Sequence, residues 1–313
     1  MARTRELLSA ALASLGFLLV AGRPAAAQDA GEVRVRADVP YLAAGRLEKL
    51  DLYLPVRGPG PASAPAVVMI HGGGWVGEDK AQPREQAICR ALARAGYVCA
   101  SVNYRLGNGA WPTNLDDCKN AVRFLRVRAA EYGIDPARLA VLGCSTGGHL
   151  ALMVGFTAGD AELEPAGPYP GVSSAVAAVV EMYGITDLLT RQETAPDGRP
   201  TGRPKDVNAP RVLGATREAD PALWRLASPV NHITPASPPV LIIHGLADVT
   251  VDHGQAEELD RALAAQGVPH ELILLPGVGH QFDFTATAHG QPLPRDLTPV
   301  VLAFLSRTLG PRP

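Results

Sequence analysis

Short unbroken apolar runs recur along this chain, and the segments between them carry helical spacing. Ala66-Val67-Val68-Met69-Ile70 has no polar break, and Leu139-Ala140-Val141-Leu142 and Val240-Leu241-Ile242-Ile243 repeat the pattern. A strand with one solvated face alternates apolar and polar residues. A continuous run fits a strand covered on both faces, as in a parallel sheet flanked by helices. Further strands are predicted near residues 97–102, 176–182 and 271–275, with an antiparallel pair near 33–39 and 47–54. Helices are predicted near 83–95, stopping at Gly96, and near 256–265 and 297–309. Another starts at Thr113, which with Asp116 resembles a capping box; Leu115, Cys118, Val122 and Leu125 then share one helical face. This alternation predicts one α/β domain with about eight mostly parallel strands and helices on both faces.

One segment breaks the rhythm. Residues 189–210 hold Pro, Gly, Thr, Arg and Asp without an apolar period, and the stretch is longer than ordinary connections. Its place between two late strands suits a small cap-like insertion, about 187–228, over the carboxyl edge of the sheet. Disorder is the other reading.

The chain has 313 residues, 47% of them hydrophobic, which is enough to bury one large core or two small ones. The net charge is −2 and no basic patch is visible, so no nucleic-acid partner is expected. Residues 1–27 read as a signal peptide. Arg3 and Arg5 form a positive start, 7–21 is mostly apolar, and Ala25-Ala26-Ala27 fits a cleavage site before Gln28. An uncleaved anchor is the alternative, but the apolar stretch is short for a membrane span. The expectation is a secreted or periplasmic catalytic domain, 28–313, with no stable membrane insertion once the signal is removed. Cys89, Cys99, Cys118 and Cys144 lie within predicted strands, helices or a turn, where small buried thiols fit; pairing in an oxidising compartment is the competing reading. Their spacing matches no zinc pattern, and no metal is expected.

Chemistry enters at Gly143-Cys144-Ser145-Thr146-Gly147, which directly follows the run 139–142. A strand turning sharply into a helix strains its turn residue and needs small neighbours. The Ser145 hydroxyl is then held out at the carboxyl end of the sheet. Alone, the pentapeptide is also compatible with an ordinary Gly-rich turn. A serine nucleophile needs a base, an orienting acid and oxyanion donors. His71-Gly72-Gly73-Gly74-Trp75 follows the strand 66–70. Its glycines let backbone N–H groups approach a substrate, so Gly73 and Gly74 are expected to join the N–H of Thr146 in an oxyanion hole; a flexible turn is the bland alternative. Asp248, in His244-Gly245-Leu246-Ala247-Asp248, lies just past the strand 240–243, with Asp252 and Asp187 as rivals. His280, in Pro276-Gly277-Val278-Gly279-His280, lies five residues past a strand end, with His253, His270, His289 and His244 as competitors.

The order Ser145, Asp248, His280 is that of α/β-hydrolases and not the trypsin-like or subtilisin-like order. The chain resembles this superfamily, and within it the serine esterases with an HGGGW oxyanion motif: hormone-sensitive-lipase-like esterases, feruloyl and acetyl-xylan esterase relatives, and arylformamidases. Asp51-Leu52-Tyr53-Leu54-Pro55, Asn103-Tyr104-Arg105-Leu106, Tyr132-Gly133-Ile134-Asp135-Pro136, Tyr183-Gly184-Ile185-Thr186-Asp187 and Ser228-Pro229-Val230 extend the resemblance over nearly all of residues 28–313. Asn103 stands where Asp is usual. The turn reads Ser-Thr-Gly-Gly where Ser-Ala-Gly-Gly is usual, and the β-branched Thr146 is expected to narrow the acyl side.

The resemblance implies a serine carboxylesterase without cofactor, acting on a small-molecule or polysaccharide-linked ester of short-chain, acetyl or feruloyl type. Trp75, Tyr104 and Trp111 are candidates for the substrate wall; core packing is an equally good reading of each. Amide or formamide hydrolysis by the same triad is the alternative activity. A non-catalytic hydrolase fold used for binding is the remaining one.

Overall fold

The computed structural model describes residues 33–56 and 63–310; the expected signal segment, 1–27, lies outside the described residues. The chain opens with β1 (Arg34–Pro40) and β2 (Lys49–Leu54), followed by β3 (Ala64–Ile70), α1 (Pro83–Arg94) and β4 (Val98–Val102). Then come α2 (Thr113–Val127), α3 (Ala129–Tyr132), β5 (Ile134–Cys144), α4 (Thr146–Phe156) and β6 (Ala178–Met182). A small hairpin, β7 (Gln192–Thr194) and β8 (Pro200–Pro204), leads into α5 (Ala209–Leu213) and α6 (Pro221–Leu226). The chain closes with β9 (Val240–Gly245), α7 (Gly254–Ala265), β10 (His270–Leu275) and α8 (Thr298–Leu309).

Eight strands form one sheet in the order β1-β2-β4-β3-β5-β6-β9-β10. Only β2 runs against its neighbours; every other pairing is parallel. The unbroken apolar runs occupy the middle, where both faces are covered. Within β3, Ala66, Val68 and Ile70 pack on one face, with α2, α4 and α7. Val67 and Met69 pack on the other, with α1 and α8. Period-two alternation thus divides each apolar strand between two cores. The edge strand β1 is mostly exposed and carries Arg34, Arg36 and Asp38, charges that disfavour edge-to-edge pairing. The four cysteines are free and buried.

The helix expected from Thr113 forms, and Leu115, Cys118, Val122 and Leu125 are fully buried along it. The expected capping box does not form. Pro112 occupies the N-cap position without a side-chain cap bond. The preceding turn provides acceptors instead: Ala110 O takes the Asn114 N–H and Pro112 O takes the Asp116 N–H. Residues 189–210 are not a bare loop. They hold the β7–β8 hairpin and the start of α5, and they bring Arg191, Val207 and Asn208 to the cleft described next.

Candidate active site

The turn between β5 and α4 is tight because two glycines meet their neighbours at contact distance. A Cβ at Gly143 would lie 2.0 Å from Gly147 O, and one at Gly147 would lie 2.1 Å from Ile70 O. No side chain larger than hydrogen fits either position. Ser145 between them adopts φ 57°, ψ −122°, a region that L-residues occupy only under constraint. Its N–H donates to Met182 O at 2.8 Å, fixing the turn against β6. The Ser145 side chain is nearly buried and opens into a cleft of about 740 Å³.

Asp248 and His280 reach this serine from the ends of β9 and β10. His280 Nε2 lies 2.9 Å from Ser145 Oγ, and His280 Nδ1 lies 2.6 Å from Asp248 Oδ2. Asp248 Oδ1 accepts the N–H groups of Thr250 at 2.7 Å and Val251 at 2.9 Å. The acid is therefore anchored by two backbone donors that leave Oδ2 for imidazole. Burial by itself would raise the Asp248 pKa, but hydrogen bonds from His244 and His280 outweigh it and hold the carboxyl well below its usual range. Burial lowers the His280 pKa, with Asp248 partly offsetting it, so the imidazole is neutral near pH 7 and able to accept a proton.

Asp248 has a second histidine that sequence reasoning set aside. His244 Nε2 stands 3.3 Å from Asp248 Oδ2 and 3.1 Å from Val251 O. Burial pulls the His244 pKa down, yet Asp248 and then Glu181 leave it net raised. Glu181, fully buried on β6, is pushed up to about 7 by burial. The spacing of His244 and Asp248, four residues apart across a strand end, was the signal available. The rival acids are engaged elsewhere: Asp187 caps the Leu189 N–H and Asp252 accepts the Gln192 N–H. His253 pairs with Glu257 and His270 with Asp260, while His289 lines the cleft away from Asp248's bonds.

The glycine loop after β3 is held on three sides. Tyr104 stacks on His71 with ring centroids 4.4 Å apart, and its hydroxyl donates to the carbonyls of His71 at 2.9 Å and Gly72 at 3.1 Å. Gly73 O accepts from Val76 and Gly77, and Gly74 O accepts from Asn208 Nδ2 at 3.2 Å. A Cβ on Gly74 would meet that amide at 2.6 Å. Gly73 and Gly74 line the cleft beside Ser145, and no acceptor among the described residues takes their N–H groups. Thr146 is the first residue of α4, so its N–H has no partner within the helix. Its hydroxyl accepts the Trp75 N–H at 3.3 Å, tying the loop to the turn.

Trp75 lines the cleft, and its indole donates to His149 Nδ1 at 3.3 Å while His149 Nε2 reaches Ala227 O at 2.7 Å. Tyr104 and Trp111 do not reach the cleft. Tyr104 is a buried prop beneath the glycine loop, and Trp111 packs in a separate apolar niche with Trp75, His149 and Leu188. Arg191 and Asn208 line the cleft and carried no local sequence signal. No group of three or more His, Cys, Asp or Glu able to hold a metal ion occurs among the described residues.

Comparison with known proteins agrees with this geometry. The BD-FAE family profile matches residues 50–263. Esterase LipC of Mycobacterium tuberculosis is 34% identical over 231 residues, covering 73% of this chain and 56% of the relative. Esterase LipQ of the same organism is 28% identical over 279 residues, covering 88% of this chain and 64% of the relative. The chain thus spans roughly 56–64% of the length of these curated relatives. A truncated carbohydrate esterase from gut microbiota superposes with TM-score 0.73 at 27% identity, over 90% of this chain and 98% of that one. Est2 of Thermogutta terrifontis with butyrate bound superposes with TM-score 0.66 at 27% identity, over 90% and 95%. With a profile match over most of its length, carried on a sheet and turn of this geometry, the chain belongs to the BD-FAE family of the α/β-hydrolase superfamily.

Proposed function

We propose that the protein is a serine carboxylesterase that hydrolyses small esters through an acyl-enzyme. The observation that carries this reading is the hydrogen-bonded chain Ser145–His280–Asp248, at 2.9 and 2.6 Å. Ser145 Oγ attacks the ester carbonyl as His280 Nε2 takes its proton. Asp248 fixes the tautomer with the proton on Nδ1 and stabilises the imidazolium that forms. N–H groups of Gly73, Gly74 and Thr146 receive the oxyanion, and losing one such donor typically costs roughly 100- to 1000-fold in rate. His280 then protonates the departing alcohol. Water, deprotonated by the same imidazole, releases the acid and restores Ser145.

Short-chain, acetyl or feruloyl esters are the proposed substrates. The relatives support this: two esterases, a carbohydrate esterase and an esterase with butyrate bound. The cleft, of about 740 Å³, has room for such acyl groups. We further propose export, with 1–27 removed; N-terminal sequencing of the mature protein tests it, and a retained Met1 sinks it. No helix among the described residues is long and apolar enough to cross a membrane.

The test of activity is a hydrolysis panel of acetyl, butyryl, octanoyl and feruloyl esters together with N-formylkynurenine. Ester turnover that disappears in Ser145→Ala, with the fold retained by circular dichroism, is expected. Wild-type turnover in Ser145→Ala overturns the nucleophile assignment. Turnover of the formamide alone overturns the ester reading.

A further inference from the structure

Arg191 is a buried cation without a counter-ion, and it lies in the wall of the same cleft. Its side chain is 5% exposed and lines the cavity that also contains Ser145 and His280. A guanidinium has five N–H donors. Here one bond is formed, from an Nη to Thr250 O at 3.1 Å, and Nε has no partner. The nearest carboxylates are engaged with other groups. Asp206 pairs with Arg217, Asp252 accepts from Gln192, and Asp248 holds the two histidines and two backbone N–H groups. None of the three lies within ion-pair distance of Arg191 among the described residues. Burial pulls the Arg191 pKa down, and the more distant charges of Asp252, Asp248 and Asp206 offset it only in part, leaving it at about 10, the response of a charge withdrawn from water without full compensation.

A second cation stands beside it. Lys205 binds Val249 O through Nζ, and Val249 lines the cleft next to Thr250. The acidic side chain that also lines the cleft, Glu78, is held by Arg84 and Gln281. The cleft therefore pairs an apolar wall at Trp75 with an unsatisfied planar fork at Arg191. Planar guanidinium forks match carboxylates with two parallel hydrogen bonds.

We propose that Arg191 is a substrate-binding residue for an anionic ester, one bearing a carboxylate in addition to its scissile bond. The inference rests on the esterase reading above and deepens it. A carboxylate seated on Arg191 supplies the counter-charge that no described carboxylate gives at ion-pair distance and positions the ester at Ser145, whereas a neutral chain leaves the cation uncompensated. Charge-assisted bonds of this kind amount to roughly 10- to 100-fold in kcat/KM.

The test compares charged substrates with neutral ones of equal length. Monomethyl succinate, glutarate and adipate place the carboxylate on the acyl side, against the methyl alkanoates. O-acetyl glycolate and O-acetyl lactate place it on the alcohol side, against the acetates of the matching alcohols. A preference of tenfold or more for one charged series is expected, falling toward one in Arg191→Met. If Arg191→Met does not fold, Arg191→Lys serves, since a lysine lacks the fork and should also reduce the ratio. No preference in the wild-type enzyme, or a ratio unchanged in the folded variant, overturns the proposal. Hydrolysis of neither class instead removes the esterase reading itself.

Discussion

Replacing Asp248 with Asn exchanges one oxygen for an amide nitrogen and reverses a single hydrogen bond at the centre of the site. The backbone N–H groups of Thr250 and Val251 donate to Oδ1 at 2.7 and 2.9 Å and need an oxygen opposite them, so the Asn oxygen stays on that side. The new NH2 then faces His280 Nδ1, now 2.6 Å from a carboxylate oxygen. A donor there forces Nδ1 to accept, which moves the ring proton to Nε2. Nε2 sits 2.9 Å from Ser145 Oγ and, once protonated, can no longer take the serine proton. The NH2 also confronts His244 Nε2, which already donates toward Val251 O. A wrong-tautomer triad of this kind loses about 10⁴ in kcat, equivalent to ~5.4 kcal/mol of barrier. KM should move little, because Asp248 is fully buried and touches no substrate. Steady-state hydrolysis of 4-nitrophenyl acetate, paired with a thermal melt, measures both quantities. A loss smaller than 100-fold in a folded Asp248→Asn, or a larger loss in Asp252→Asn or Asp187→Asn, would refute the reasoning.

Three further outcomes follow from the same structure. Asn208 grips the Gly74 carbonyl from across the cleft, so Asn208→Ala should lower kcat by about tenfold with little change in KM, less than the roughly 100-fold of a lost oxyanion donor; an unchanged kcat removes Asn208 as a positioning residue. His280 must be neutral to act as base, and burial holds its pKa below the ordinary value of about 6.5. The kcat/KM profile should therefore rise with pH through an inflection below 6.5 and be level at pH 7, and an inflection at 7 or above contradicts it. Burial pushes His71 and His149 down to about 4, beneath their unfolded values. Their folding contribution is complete above pH 6.5 and is lost as pH falls toward 4, on the order of 3 kcal/mol for each. Tm measured from pH 7 to 4.5 should drop steeply, and a double His71→Gln, His149→Gln variant should flatten that slope; an unaltered slope in a folded variant counts against the assignment.

The residues differ in how plainly they announced themselves. Ser145 and the glycine loop were legible because their constraints are local. Gly143, Gly147 and Gly74 are required by contacts that any strand-to-helix turn or backbone cradle of this shape creates. Asp248 and His280 were legible through chain order and strand ends. Tyr104 and Trp111 were not, since an aromatic residue near a motif gives the same signal whether it faces the cleft or props it from beneath. Arg191 was invisible: in sequence it is one arginine in a polar stretch, and only the fold shows it buried, short of acceptors and lining the cleft that holds Ser145.

The sequence by itself determined the alternation of buried strands and helices, the mostly parallel sheet, and the candidates for the reacting groups with their order along the chain. Those follow from periodicity and from short motifs, which depend on neighbours within a few residues. The tertiary structure alone decided which of three aspartates meets His280, where the aromatic side chains point, and which charge is left unpaired in the cleft. Ser145 and His280 are 135 positions apart, and their contact exists because parallel crossovers return the carboxyl ends of β3, β5, β6, β9 and β10 to one edge of the sheet. Periodicity reports that a residue is buried; only the packed chain reports against what.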